Sequence, residues 1–185
     1  MNNLFNTKSI FFLYDLLLRK YPMHKKIFST VKHDLQSINL PDIKPVTGEI
    51  FEQYIYLSTL ISSNNTIIIT WDIEKILNSI DKLSEPFLCS VSCLLELYNN
   101  TIPQIQLLDD NYNHRGNYII LANTPLTKYP TIIDGNHRVL ENRNNTQLSL
   151  ECVLLNETET LEYLLPNSRR LFEILFYLLE VINRT

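Results

Sequence analysis

The chain has 185 residues, 45% of them hydrophobic and 19% charged, enough to bury a core, which excludes both a disordered chain and a disulfide-stapled miniprotein. Sixteen Lys and Arg against twenty Asp and Glu give a net charge of -4, the wrong sign for a protein that coats a nucleic-acid backbone. Three cysteines, Cys89, Cys93 and Cys152, are an odd and sparse set that fits a reducing compartment, so a cytoplasmic location is expected.

In chain order, Ser9 to Leu18 (SIFFLYDLLL) is apolar, but Asp15 interrupts it and no small-residue cleavage site follows. An amphipathic helix with Ile10, Leu13, Leu17 and Leu18 on one face is expected rather than a signal segment. No run of about eighteen apolar residues occurs, so no membrane span is expected. The basic stretch RKYPMHKK, residues 19–26, reads as a solvated face, with Pro22 breaking the helix before it. Two prolines in LPDIKP, residues 40–45, mark the main boundary. The expected organisation is a helical extension over 1–45, a core over 46–160 and a C-terminal helix over 161–185, packed on the core or at a homodimer contact.

Gly48 to Ile61 (GEIFEQYIYLSTLI) suits strand or helix, with helix favoured. Ile67 to Thr70 is a β-branched strand, and Asp72 suits the N-cap of a helix with Ile73, Ile76, Leu77, Ile80 and Leu83 along one side. Glu85-Pro86 ends it, and Phe87 to Tyr98 reads as a second helix. Ile102 to Leu108 alternates as a strand, followed by a polar loop, Asp109 to Asn117, that carries His114, Arg115 and Gly116. Tyr118 to Ala122 and Thr131 to Ile133 are strands flanking the loop Asn123 to Pro130. Leu148 to Leu155 is a further strand, and an apolar helix runs from Ser168 to Ile182. The sum is an α/β (mixed α+β) fold, a small mixed sheet flanked by helices.

The chemistry is expected at Ile132 to Leu140 (IIDGNHRVL), where a strand turns into a helix. Such a corner presents helix-start amides at the positive end of the dipole and suits an anion. Gly135 permits close backbone approach, Asn136 suits a helix cap, and His137 and Arg138 offer imidazole and guanidinium to a phosphate. The competing reading is ordinary turn chemistry, with His137 and Arg138 solvated or paired to Glu141.

The string TIIDGNHRVLENR, preceded by IPQIQLL and followed by LSLECVLL, resembles the core of the ParB/sulfiredoxin superfamily, in which a strand ending in Asp-Gly-(any)-His-Arg leads into a helix. The unit IIITWDIEKILNSIDKL is similar to the segment that opens that core, and the likeness spans roughly residues 66–155. The resemblance implies a nucleotide-handling fold, with Asp134, Gly135, Asn136, His137 and Arg138 holding the phosphates of a nucleoside triphosphate (ATP or CTP), Asp134 as a Mg²⁺ ligand, and Asp134 and His137 as the catalytic pair if phosphoryl transfer occurs. Arg143 is a more distant cation, and Glu49 a candidate second carboxylate.

The sulfiredoxin reaction is not expected, because Gly135-Asn136 stands where the reductase cysteine would be. The chain also lacks the length and charge for the DNA-binding and dimerisation regions of chromosome-partition relatives. Three functions remain: a nucleotide- or phosphate-binding protein, with a phosphotransferase or nucleotide-dependent regulator as its more specific forms; a non-catalytic module, a regulator or immunity-type partner, that keeps the fold for a protein partner; and a ParB-like nuclease, which the acidic balance disfavours. Arg115, in its polar loop, is a further nucleotide contact if that loop acts as a lid, and otherwise an ordinary surface residue. Cys89 and Cys93, four apart on the expected helix, fall short of the four ligands of a structural zinc site and read as core thiols, as does Cys152. His24 and His33 read as solvated.

Overall fold

A computed structural model of the chain describes residues 14–15, 17–19, 21–38, 52–56, 68–101, 116–125 and 127–184. The expected strand at 102–108, the boundary at 40–45, and Glu49, His114 and Arg115 lie outside them.

The apolar runs at residues 119–122, 131–134 and 149–155 form strands because both faces of the sheet they build are covered. These are β4 (Ile119–Ala122), β5 (Thr131–Asp134) and β6 (Ser149–Leu155), joined by β3 (Phe87–Ser90) in a four-stranded sheet of order β3-β6-β4-β5. β4 runs parallel to β6, with Ile119 opposite Cys152 and Ala122 opposite Leu155, while β5 is antiparallel to β4 and β3 antiparallel to β6. Alternation then sorts the side chains: Ile120, Ala122, Ile133, Val153 and Leu155 join one core cluster, and Ile119, Leu121, Ile132 and Cys152 the other. Near-continuous apolar strands are what a doubly covered sheet requires. The class is mixed α/β, as expected.

The larger core cluster is completed by helices and a separate hairpin. Strands β1 (Glu52–Tyr56) and β2 (Ile68–Asp72) pair antiparallel, and β2 leads into the short helix α2 (Ile73–Asn78). Helix α1 (Lys25–Ser37) buries Phe28, Val31 and Leu35, a one-sided apolar stripe. The C-terminal pair is α5 (Glu157–Tyr163) and α6 (Pro166–Asn183). Trp71 on β2 meets Phe172 on α6 edge-to-face at 5.9 Å between ring centroids, the favoured geometry for aromatic quadrupoles. An Arg170–Asp34 ion pair at 3.1 Å ties α6 to α1. On the opposite face, Leu94 of α3 (Val91–Thr101) and Val139 of α4 (Asn136–Glu141) close the second cluster.

Three expectations need correction. Residues 52–56 are a strand rather than a helix, because they pair with β2 along Glu52↔Asp72 to Tyr56↔Ile68. The helix expected from Phe87 starts only at Val91: Phe87 to Ser90 form β3 against Cys152 to Ser149, and sheet pairing overrides an ambiguous apolar run. Asp72 does cap α2, accepting from the Lys75 backbone N–H at 2.9 Å, but the helix stops at Asn78 and passes into a 3₁₀ turn at Ile80–Lys82. The C-terminal helix matches its expected position and runs slightly longer at each end. Among the described residues, no helix is long and apolar enough to cross a membrane.

Candidate functional site

The Asp134–Arg138 corner is built as the strand-to-helix pattern predicts. β5 ends at Asp134, which lies opposite Ile120 of β4, and α4 begins at Asn136. Between them Gly135 adopts φ 90°, ψ 9°, a left-handed conformation that glycine enters without steric penalty. A Cβ there would also lie 2.5 Å from the Cδ1 and 3.2 Å from the Cα of Ile119. Close backbone approach does occur at this glycine, and its partner in the folded chain is β4.

Arg138 points back along its helix. Its guanidinium donates to the Tyr118 carbonyl and pairs with Asp134 at 3.7 Å, the two side chains being only 14% and 19% exposed. The arginine is therefore not simply solvated, because the start of β4 offers a carbonyl and the end of β5 a carboxylate within its reach. Charge-assisted contacts of this kind are stronger than neutral ones. The role of Tyr118 has no sequence signal, since its backbone oxygen makes the contact and any residue supplies one.

Asn136 does not cap the helix. Gly135 occupies the cap position without a side-chain hydrogen bond, and Asn136 is the first helical residue, buried, its Nδ2 donating to the Ile132 carbonyl at 3.5 Å. Its Oδ1 is buried without a hydrogen-bond partner, and such an acceptor is destabilising. What Asn136 can present outward is its backbone. His137 is half-buried next to it, and Arg143 lies beyond the end of α4, exposed. The structure therefore brings Asp134, Gly135, Asn136, His137 and Arg138 together. Arg115 and Glu49 lie outside the described residues.

As a cation site the corner offers one carboxylate. Among the described residues no cluster of three or more His, Cys, Asp or Glu could hold a metal ion. Asp134 suits a Mg²⁺ that arrives with phosphates and water as its other ligands, since that ion commonly takes one or two protein carboxylates. It does not suit an all-protein metal cage.

Sequence reasoning also missed a cluster of thiols beside α3. Cys89 lies on β3 rather than on a helix, Cys93 lies in the first turn of α3, exposed, and Cys152 is buried on β6. Burial pushes the Cys89 thiol up to about 11, helped by the neighbouring Cys93. Burial likewise pushes Cys152 up to about 12, with Cys89 adding to the shift and the Arg138 guanidinium opposing it. The expected core role holds for Cys152 and is corrected for Cys93.

Comparison of the chain with protein-family models, with curated proteins and with solved structures gives no match.

Proposed function

We propose that the chain is a ParB-like nucleotide- or phosphate-binding protein whose anion site is the corner Asp134 to Arg138. The supporting observation is the sequestered Asp134–Arg138 pair at the end of β5. A Mg²⁺–nucleotide carries the complementary pair of charges. Asp134 would hold the ion, and the Arg138 guanidinium with the backbone N–H groups at the start of α4 would hold the phosphate oxygens, so that neither charge would be left alone. His137, half-buried, lies next in the chain to Asn136 in the first turn of α4. Bound Mg²⁺ would supply charge neutralisation at the phosphates. Asp134 is the carboxylate that the strand-to-helix corner itself contributes, and phosphoryl transfer would need a further base, so binding ranks above phosphoryl transfer.

The experiment is calorimetric titration with ATP, ADP, CTP and GTP, with and without Mg²⁺. Exchange of partners predicts Mg²⁺-dependent binding by the natural chain. Asp134→Asn, which releases the guanidinium, loses the Mg²⁺ dependence and binds free nucleotide at least as well. No binding of any of the four, with Arg138→Ala indistinguishable from the natural chain, removes the assignment.

A second reading is favoured by a specific observation. Arg138 is already engaged by Asp134 and the Tyr118 carbonyl, and the Asn136 side chain is buried, so the motif also works as an internal brace. In that case the fold serves a protein partner, and stoichiometric capture of one partner without nucleotide dependence decides for it.

A further inference from the structure

Cys89 and Cys93 are four residues apart, and Cys152, distant in sequence, is brought beside Cys89 in the fold. In the β3–β6 ladder Phe87 faces Cys152 and Cys89 faces Leu150, so Cys89 and Cys152 are diagonal neighbours on one face of the sheet. That face is the one covered by α3, and Cys89 packs on the cluster that contains Cys152 and Leu94. The chain then turns directly from β3 into α3. Ser90 Oγ accepts from the Cys93 backbone N–H at 3.3 Å, which folds the first helical turn back over the strand end. Cys93 thus stands in the first helical turn, four residues after Cys89, while the Cys89 thiol donates to the Ser90 carbonyl at 3.8 Å and is close enough to Cys93 and Cys152 for both to influence its proton.

Exposure grades these thiols in order: Cys93 is exposed, Cys89 half-buried and Cys152 buried. A reagent from solvent meets Cys93 first, and the sulfur waiting beside it is that of Cys89.

We propose that Cys93 is a thiol-exchange site for low-molecular-weight disulfides and that Cys89 resolves the adduct into an intramolecular Cys89–Cys93 disulfide. In the first step the Cys93 thiolate attacks one sulfur of the small disulfide. A Cys93–S bond forms, the reagent's S–S bond breaks, and one small thiolate leaves and takes up a proton. In the second step the Cys89 thiolate attacks Cys93 in that mixed disulfide, forming the protein disulfide and releasing the second small thiol. Two protein thiols are oxidised, one small disulfide is reduced to two thiols, and the two protons lost by the cysteines end on those thiols.

The first step prepares the second. Apart from burial, the causes that hold the Cys89 proton are the hydrogen bond and the charge of Cys93. Once the Cys93 sulfur is bonded to the reagent it carries neither a proton nor a charge, and both influences disappear. Cys152 retains its proton through burial and stays outside the exchange.

The test is incubation of the full chain with oxidised glutathione, then alkylation of remaining thiols, intact mass and peptide mapping. The expected product has lost two hydrogens, carries one alkylated cysteine, Cys152, and joins Cys89 to Cys93. Cys89→Ser stops at the first step and accumulates the glutathione adduct on Cys93, at least roughly tenfold more than the natural chain. Cys93→Ser, at an exposed position, leaves Cys89 and Cys152 reduced, and Cys152→Ser leaves the product unchanged. A persistent Cys93 adduct in the natural chain, a Cys89–Cys152 bond, or no reaction at Cys93 would each overturn the proposal. Far-UV circular dichroism of the Cys93→Ser chain confirms that its loss of reaction is read on a folded protein.

Discussion

Arg138 reaches back one helical turn to Asp134 and holds it at 3.7 Å, with both side chains mostly withdrawn from water. Removing one partner of such a pair leaves the other charge stranded. Arg138→Ala is expected to cost about 3 kcal/mol at neutral pH, the lower end of the range for a buried pair, since some solvent reaches both groups. The double change Asp134→Asn with Arg138→Ala, compared with each single change, removes both charges and recovers most of that loss. Urea denaturation of the four chains in a double-mutant cycle measures the coupling, and a coupling near zero would mean that solvent, rather than the partner, satisfies each group.

Gly135→Ala places a methyl group against Ile119 in a backbone conformation that disfavours it. The left-handed strain alone is about 1–3 kcal/mol, and the contact with the β4 backbone adds to it. Chemical denaturation should therefore show a clear fall in midpoint with an unchanged slope. An equal midpoint would mean that the β5–α4 corner relaxes freely.

Asn156 starts α5 with a reciprocal cap: its side chain accepts from the Glu159 N–H at 3.0 Å, and the Glu159 carboxylate accepts from the Asn156 N–H at 2.8 Å. Asn156→Ala is expected to cost about 1 kcal/mol. Because Asn156 follows the end of β6 farther from Leu150, the residue opposite Cys89, the same change should leave the Cys89–Cys93 exchange untouched, and thermal unfolding beside the glutathione assay measures both.

Alkaline pH should weaken the fold through Cys89 and Cys152. Their thiols are held up at about 11 and about 12 against an ordinary 9.0. Both states keep these protons below the ordinary value. Above it the unfolded chain releases protons that the folded chain retains, so stability is level below about 9 and falls as pH rises toward 12. Cys152→Ala should be less stable throughout, through its cavity, but with a shallower alkaline fall. Equal slopes for the two chains in pH-dependent urea denaturation would count against burial as the cause.

Legibility in the sequence followed the environment of each segment. β4, β5 and β6 were readable because a doubly covered sheet writes itself as short apolar runs bounded by turns, and α6 because its apolar stripe is long. β3 was not readable. Phe87 and Leu88, on opposite faces of the strand, are both exposed yet apolar, so its alternation is not visible in the sequence, and pairing with β6 decides the conformation. β1 was ambiguous for a similar reason, its apolar and aromatic residues suiting either period. At the candidate site the corner and its glycine were legible from Asp-Gly-Asn followed by an apolar-periodic run. The inward turn of Arg138 and the burial of Asn136 were not, because they depend on a carbonyl and a core contributed by other strands.

The order of the main sheet also bears on how the chain is made. β6, the last strand to leave the ribosome, lies between β3 and β4 and, among the described residues, is the only element that hydrogen-bonds to both. A nascent chain that ends before Ser149 can close the β4–β5 hairpin but lacks the strand that joins it to β3. Assembly of the sheet therefore waits on late synthesis. Until then Phe87 and Leu88 stand on an unpaired backbone, which makes that interval the one in which chaperone capture or clumping of unfinished chains is most to be expected.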